Sequence, residues 1–200
     1  MIVLWIVLIL VVVVIGYFVI TYNGLVSMRN RIENAWAQID VQLKRRYDLI
    51  PNLVETVKGY AAHERETLEN VVKARNMAMT AQGPQDQAAA ENMITGALKS
   101  VFALQEAYPD LKANENFLNL QEELTGTEGR IAYARQFYND SVYRYNTKIQ
   151  SVPSNVVANQ FNFDEREYFE VDEASRENIE VDFSAAPPVD LGGPPPDTAP

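Results

Sequence analysis

The sequence predicts an all-α protein. An N-terminal transmembrane helix is followed by an antiparallel bundle of about four helices with long first and last members, and then by a disordered C-terminal tail. Three observations carry this. Ile2–Ile20 is a 19-residue run without a charge. From Leu25 to Val152 apolar residues recur every three or four positions, the period of a helix with one buried stripe. Ala185–Pro200 (AAPPVDLGGPPPDTAP) is built of proline, glycine and small residues that cannot form a core.

As a helix, the apolar run covers about 28 Å, close to the roughly 30 Å hydrocarbon core of a bilayer. Its valines and isoleucines are poor helix formers in water, but lipid offers the backbone no other hydrogen-bond partner. Trp5 near one end and Tyr17 and Tyr22 near the other suit the two interfaces. No Lys or Arg precedes the run and no small-residue cleavage site follows it, so an anchor is expected rather than a cleaved signal peptide. Arg29 and Arg31 follow it, with more basic residues at Lys44–Arg46, which predicts a cytoplasmic body and an N-terminus outside.

The expected organisation is an anchor over residues 1–21, a helical bundle over 22–153, an acidic docked or partly ordered extension over 154–183, and the Pro-rich tail over 184–200. The first soluble helix has the stripe Leu25, Met28, Ile32, Trp36, Ile39, Leu43, Tyr47 and Ile50, and is continuous in pattern with the anchor. Pro51 lacks an amide proton and clashes with the carbonyl four residues back, at a cost of about 3 kcal/mol in a helix interior. The stripe nevertheless keeps phase through Val54, Val57 and Ala61, so a kink or one-turn break is expected there. Helix resumes over Glu64–Ala81, with Leu68, Val71, Val72, Arg75 and Met79 as its stripe, and Gly83-Pro84 is read as its end. Gln85–Tyr108 follows, with Ala89, Met93, Ala97, Val101, Leu104 and Tyr108. The last long helix, Phe117–Val152, carries Phe117, Leu120, Leu124, Ile131, Ala134, Tyr138, Val142, Tyr145, Ile149 and Val152. Gly126 and Gly129 weaken it or let a neighbouring helix come close. Ser154–Gln160 adds a helical turn, the aromatic pairs Phe161/Phe163 and Tyr168/Phe169 dock on the bundle, and Asn178–Phe183 (NIEVDF) has strand character.

Charge excludes some functions. The net charge of −10 sits mostly in the C-terminal forty residues, which hold eleven acidic and two basic side chains. The body is nearly neutral, so the basic footprint of a nucleic-acid-binding protein is missing. There is no cysteine, hence no disulfide, thiolate metal site or cysteine nucleophile. His63, the single histidine, lies in the solvated run HERE. It lacks the second histidine that a zincin or a di-iron bundle requires. Glu122 and Glu123 are adjacent, so on a helix they point about 100° apart and do not form an acid–base pair. No phosphate-cradling glycine loop occurs. No metal, cofactor or catalytic residue is therefore expected.

The one concentrated basic stretch is Lys44-Arg45-Arg46, followed by Asp48, Pro51 and Asn52. These six form the candidate partner-binding surface, the reasoning being that a kink at Pro51 exposes backbone groups. The bland alternative is an ion-paired face using Asp40 or Asp48 one turn away. Lipid headgroups are a poorer fit, since Lys44 lies about 36 Å along the helix from Ile20.

Long blocks of the chain resemble the LemA family of bacterial membrane proteins. They are NAWAQIDVQLKRRYDLIPNLVETVKGYAAHE, ENMITGALKSVFALQEAYPDLKANENFLNLQEELTGTEGRIAYARQFYNDSVYRYN and KIQSVPSN. The resemblance covers about Tyr22–Phe169 and leaves out the acidic tail beyond. It implies a single-pass anchor and a helical bundle. It implies no enzyme, and supplies no catalytic residue to carry over. The function expected is a non-enzymatic, membrane-tethered scaffold or protein-interaction module, held in the membrane through residues 2–20, with a protein partner or a second copy as ligand. The rivals are an accessory subunit of a membrane protease or transporter, and an uncharacterised hydrolase on a helical bundle.

Overall fold

A computed structural model describes residues 1–170; the strand expectation at Asn178–Phe183 and the Pro-rich tail lie outside the described residues. The elements are α1 (Ile2–Lys58), α2 (Arg65–Thr80), α3 (Gly83–Ala103), a 3₁₀ turn (Leu104–Glu106), α4 (Pro109–Lys112), α5 (Glu115–Gln150) and α6 (Ser154–Gln160). Residues 163–170 form an extended strap.

The molecule is organised on α1 and α5. Tyr60, just past the end of α1, meets Asn114 at the start of α5, Arg45 meets Glu123, and Trp36 meets Tyr138, so the two helices run antiparallel. Their buried faces advance in steps of seven. On α1 these are Leu25, Ile32, Ile39, Arg46 and Leu53; on α5 they are Phe117, Leu124, Ile131, Tyr138 and Tyr145. A seven-residue period keeps one seam facing a partner helix over many turns. Each fully buried Leu, Ile or Phe of this seam contributes roughly 1.5–3 kcal/mol. The Asn114 Oδ1 caps α5 by accepting from the Phe117 amide at 2.9 Å, and its Nδ2 donates to the Tyr60 hydroxyl at 2.9 Å. That cap fixes the far end of the hairpin.

α2 and α3 form a second, shorter antiparallel pair against α1. Several expectations fail here. The buried face of α2 is Leu68, Val71, Ala74 and Ala78, whereas Val72 and Met79 are exposed. In α3 it is Gln87, Ala88, Ala90, Glu91, Ile94, Leu98 and Val101; Ala89 is exposed and so is Met93. The alanine-rich stretch Ala88–Ala90 gives almost no contrast between faces, so the true phase is set by Ile94 and Leu98. Gly83-Pro84 does not close α2 but opens α3, with proline in the first turn, where its missing amide costs nothing. Gly83 has φ +84°, a conformation glycine takes without a Cβ clash. Gly126 and Gly129 do not admit a neighbouring helix: a Cβ at either position meets nothing within 4 Å. They line an open groove of about 660 Å³ with Ala37, Val41 and Tyr133.

Pro51 does not break α1. The helix continues through it to Lys58.

Candidate functional site

Proline at position 51 removes the donor that would serve the carbonyl of Tyr47, four residues earlier. That carbonyl is instead taken by Arg75 of α2, whose Nε donates to it at 2.7 Å. The lost backbone bond thus becomes a link between helices. A consequence is that the backbone group expected to be free for a partner is already satisfied within the chain.

The basic triplet is likewise divided. Lys44 is exposed. Arg45 is half-exposed and meets Glu123 at 3.3 Å, a pair of the kind worth under about 1 kcal/mol. Arg46 faces the other way. It is only 2 % exposed and pairs with Glu91 of α3 at 3.0 Å, while its second terminal nitrogen donates to the Thr95 hydroxyl at 2.9 Å. Arg46 is therefore not part of a surface patch. The reason is its position: it occupies the seam register of Ile39 and Leu53, seven residues away on either side. Asp48, Pro51 and Asn52 are exposed, and the Asn52 carbonyl accepts from the Thr56 hydroxyl at 2.8 Å. Beside Asn52 lies a groove of about 370 Å³ between α1 and α5, lined by Leu49, Thr56, Asn116, Asn119 and Glu123. His63 is exposed in the turn between α1 and α2.

A buried polar cluster surrounds Glu91. Its carboxylate accepts from Arg46 and from the Tyr47 hydroxyl, and Gln87 Nε2 donates to the Tyr47 oxygen at 2.7 Å. Burial, reinforced by the Glu91 hydrogen bond and charge, pushes the Tyr47 phenol far above its usual range. Arg46 Nε has no partner among the described residues. A buried charge of this kind is tolerable only when paired and hydrogen-bonded. The cluster joins α1 to α3 as Arg75 joins α1 to α2. It is closed to solvent: Glu91 is 2 % exposed.

A second set of polar side chains holds the strap. α5 carries two Tyr-Asn pairs seven residues apart, Tyr138-Asn139 and Tyr145-Asn146. Each tyrosine hydroxyl donates to a strap carbonyl, Tyr138 to Glu167 at 2.9 Å and Tyr145 to Asp164 at 3.0 Å. Each asparagine amide donates to a strap carbonyl and accepts from the amide of the same residue. Asn139 does this with Phe169 at 3.0 and 2.8 Å, and Asn146 with Arg166 at 2.9 Å for both bonds. Among the described residues the strap has no strand to pair with, and these side chains take that role. Phe169 is fully buried beside Trp36, with the Arg135 guanidinium 4.7 Å from its ring. Burial lowers the pKa of Arg135, and the charge of Glu91 opposes the shift.

The LemA family model matches residues 35–183. The chain belongs to the LemA family. A protein named LemA from Metamycoplasma hominis is 30 % identical over 178 residues, which are 85 % of this chain and 79 % of that one. Two magnetosome proteins named MamQ 1 and MamQ 2, from Paramagnetospirillum magneticum, are each 26 % identical over 74 % of this chain. The chain spans 64 % of the length of those two relatives. The family match runs past Phe169 to residue 183, so the shared pattern includes part of the acidic segment that the resemblance was expected to leave out. With its N-terminal apolar helix long enough to cross a membrane, this LemA-family chain is a membrane-associated helical protein.

Sequence reasoning missed Glu91, Asn139 and Asn146. Each had a signal. Glu91 lies three residues before Ile94 and seven before Leu98, a carboxylate on an apolar face. Arg46 lies on the α1 stripe between Leu43 and Ile50, and two opposite charges on buried faces predict each other. The asparagines follow stripe tyrosines at a repeat of seven.

Proposed function

We propose that this chain is a non-enzymatic scaffold that presents a protein-binding surface at a fixed height above the bacterial membrane. The observation that carries it is the continuity of α1. The apolar span and the first helix of the bundle are one 57-residue helix, with no flexible linker between them. A tethered enzyme needs no such rigidity to meet a diffusing substrate, whereas a spacer does. The relatives named as magnetosome proteins add support of a limited kind, because that name refers to an assembly and not to a reaction.

The surface assigned to the partner is the exposed part of the expected set: Lys44, Arg45, Asp48, Pro51 and Asn52, with the adjoining polar groove. Lys44, Asp48 and Asn52 follow one another at four-residue steps and so share one face of α1. Arg46 is left out because it is buried. The positive-inside rule, applied to Arg29 and Arg31, puts this surface in the cytoplasm.

Photo-crosslinking tests the assignment. A crosslinker at Asn52 in the full chain, in native membranes, is expected to capture a discrete protein adduct that Lys44→Glu with Arg45→Glu abolishes. Adducts unchanged by the double reversal would remove this surface from the proposal. Capture of a membrane protease or transporter subunit would place the chain as its accessory.

A further inference from the structure

The end of the bundle nearest the span carries an uncharged surface with exposed apolar side chains that neither the stalk nor the partner surface uses. Ile149–Phe163 is a run of 15 residues without a charge, bounded by Lys148 and Asp164. It makes the corner between α5 and α6, α6 itself, and the turn into the strap. One side of it is folded inward: Val157 is fully buried, and the buried Ser154 hydroxyl donates to the Lys148 carbonyl at 2.6 Å, tying the corner back to α5. Elsewhere the run is exposed: Val152 is 82 % exposed, Val156 56 % and Phe161 49 %, interleaved with the exposed, uncharged Ser151, Asn159, Gln160 and Asn162.

The height of this patch is fixed by what it touches. The Phe161 ring lies 4.8 Å from that of Tyr22, two positions beyond Ile20, the last residue of the apolar run. Two positions along a helix are about 3 Å. Contact with α1 reaches lower still. Tyr17 and Phe18, inside the run, are partly buried and pack against the core, and Thr21 is buried, while Val19 and Ile20 on the opposite side stay exposed. α6 packs on α1 at this end. The bundle therefore overlaps the last turn of the span instead of starting above it.

We propose that the α5–α6 corner is a second membrane contact, with Val152, Val156 and Phe161 seated in the headgroup–acyl boundary beside the span. This rests on Ile2–Ile20 crossing the bilayer. Three features favour lipid over a second copy as the occupant. The run meets the span at its last turn, through Phe161 against Tyr22. It brings no charge that would have to be desolvated. It places aromatic rings, Tyr22 and Phe161, at the depth where such rings concentrate. Apolar side chains on a surface element reach about 5–10 Å into this boundary, which matches a foot at the level of the last helical turn.

The chain has no cysteine, so single cysteines can carry a fluorescent label without further changes. The full chain, labelled at Val12, Val72, Val152 or Val156, is reconstituted in phosphatidylcholine vesicles. Quenching by nitroxide-bearing lipid is compared with quenching by aqueous iodide. Labels at Val152 and Val156 are expected to follow Val12, with lipid quenching at least about threefold stronger than iodide quenching, and Val72 is expected to show the reverse. If Val12 is lipid-quenched while Val152 and Val156 follow Val72, the second contact does not exist. Protection of both from both quenchers also overturns it, since a second copy then covers the corner. Loss of lipid quenching at Val12 itself would instead remove the span. Circular dichroism checks each labelled chain; should the Val156 label lower helix content, Val152, outside the helix, carries the test.

Discussion

Arg75 donates from Nε to the carbonyl of Tyr47 at 2.7 Å, and Tyr47 is the residue whose helical hydrogen bond Pro51 removes. A defect in one helix is thereby the acceptor for its neighbour. Removing Arg75 leaves that carbonyl without a protein donor, a loss of about 1–3 kcal/mol. Pro51→Ala restores the amide donor and makes Arg75 redundant. In a double-mutant cycle by urea unfolding, Arg75→Met is expected to cost at least twice as much in the native chain as in the Pro51→Ala variant. Equal costs in the two backgrounds would show that the bond does not depend on the proline.

Glu91→Gln keeps an acceptor for the Tyr47 hydroxyl but leaves the Arg46 charge buried and unpaired. Breaking a buried pair in this way costs about 3–5 kcal/mol, which for a chain of this size lowers the melting temperature by about 10 °C. Adding Arg46→Met removes the stranded charge and is expected to recover most of the loss. Thermal melts of the single and double variants decide it: a double variant no more stable than Glu91→Gln would mean that the pair itself, and not the stranded charge, matters.

Burial pushes the phenols of Tyr47, Tyr138 and Tyr145 up, with Glu91 adding to the effect at Tyr47. Below the ordinary tyrosine pKa of about 10 they are neutral in both folded and unfolded chains, and their contribution to stability is fully present. Above it the unfolded chain loses these protons first, so stability falls as pH rises. The urea midpoint is expected to drop between pH of about 10 and 12, and less steeply in Tyr47→Phe. Ultraviolet titration of the native protein checks the cause, because these three tyrosines should ionise at higher pH in the folded than in the unfolded chain. A native titration that coincides with that of the unfolded chain would contradict it.

Asn139 and Asn146 hold the amides of Phe169 and Arg166. Asn139→Leu with Asn146→Leu removes four hydrogen bonds to the strap at nearly constant side-chain volume. At a net value of about 0.5–1.5 kcal/mol per bond, two per clamp, the exchange of those two amides should accelerate at least about fivefold. Exchange in the seam of α1 and α5 should stay the same. Hydrogen-exchange mass spectrometry reads both, and unchanged protection over 164–170 would show that the buried Phe169 alone holds the strap.

The long helices were legible because large side chains mark their faces: Ile32, Ile39, Leu43 and Ile50 on α1, and Leu124, Ile131 and Tyr138 on α5. The phase of α3 was not, because Ala88, Ala89 and Ala90 look alike from every side and the buried position between them and Ile94 is an acid. Pro51 was correctly read as a lost hydrogen bond. Its sequel lay in Arg75, twenty-four residues on, and local pattern carries no information about which distant donor meets an orphaned carbonyl. The candidate surface suffered from the same blindness. Three consecutive basic residues cannot share one helical face, and the apolar stripe already showed which of them, Arg46, turns inward.

The unbroken α1 has a mechanical consequence. From Ile20 to Lys58 its axis covers about 57 Å. A span that leans by about 20° in the bilayer carries the far tip of the hairpin, where Tyr60 meets Asn114, sideways by about 20 Å. Any change in the lean of the span, which interfacial side chains such as Tyr17 and Tyr22 help to set, is in this way converted into a lateral displacement at the tip.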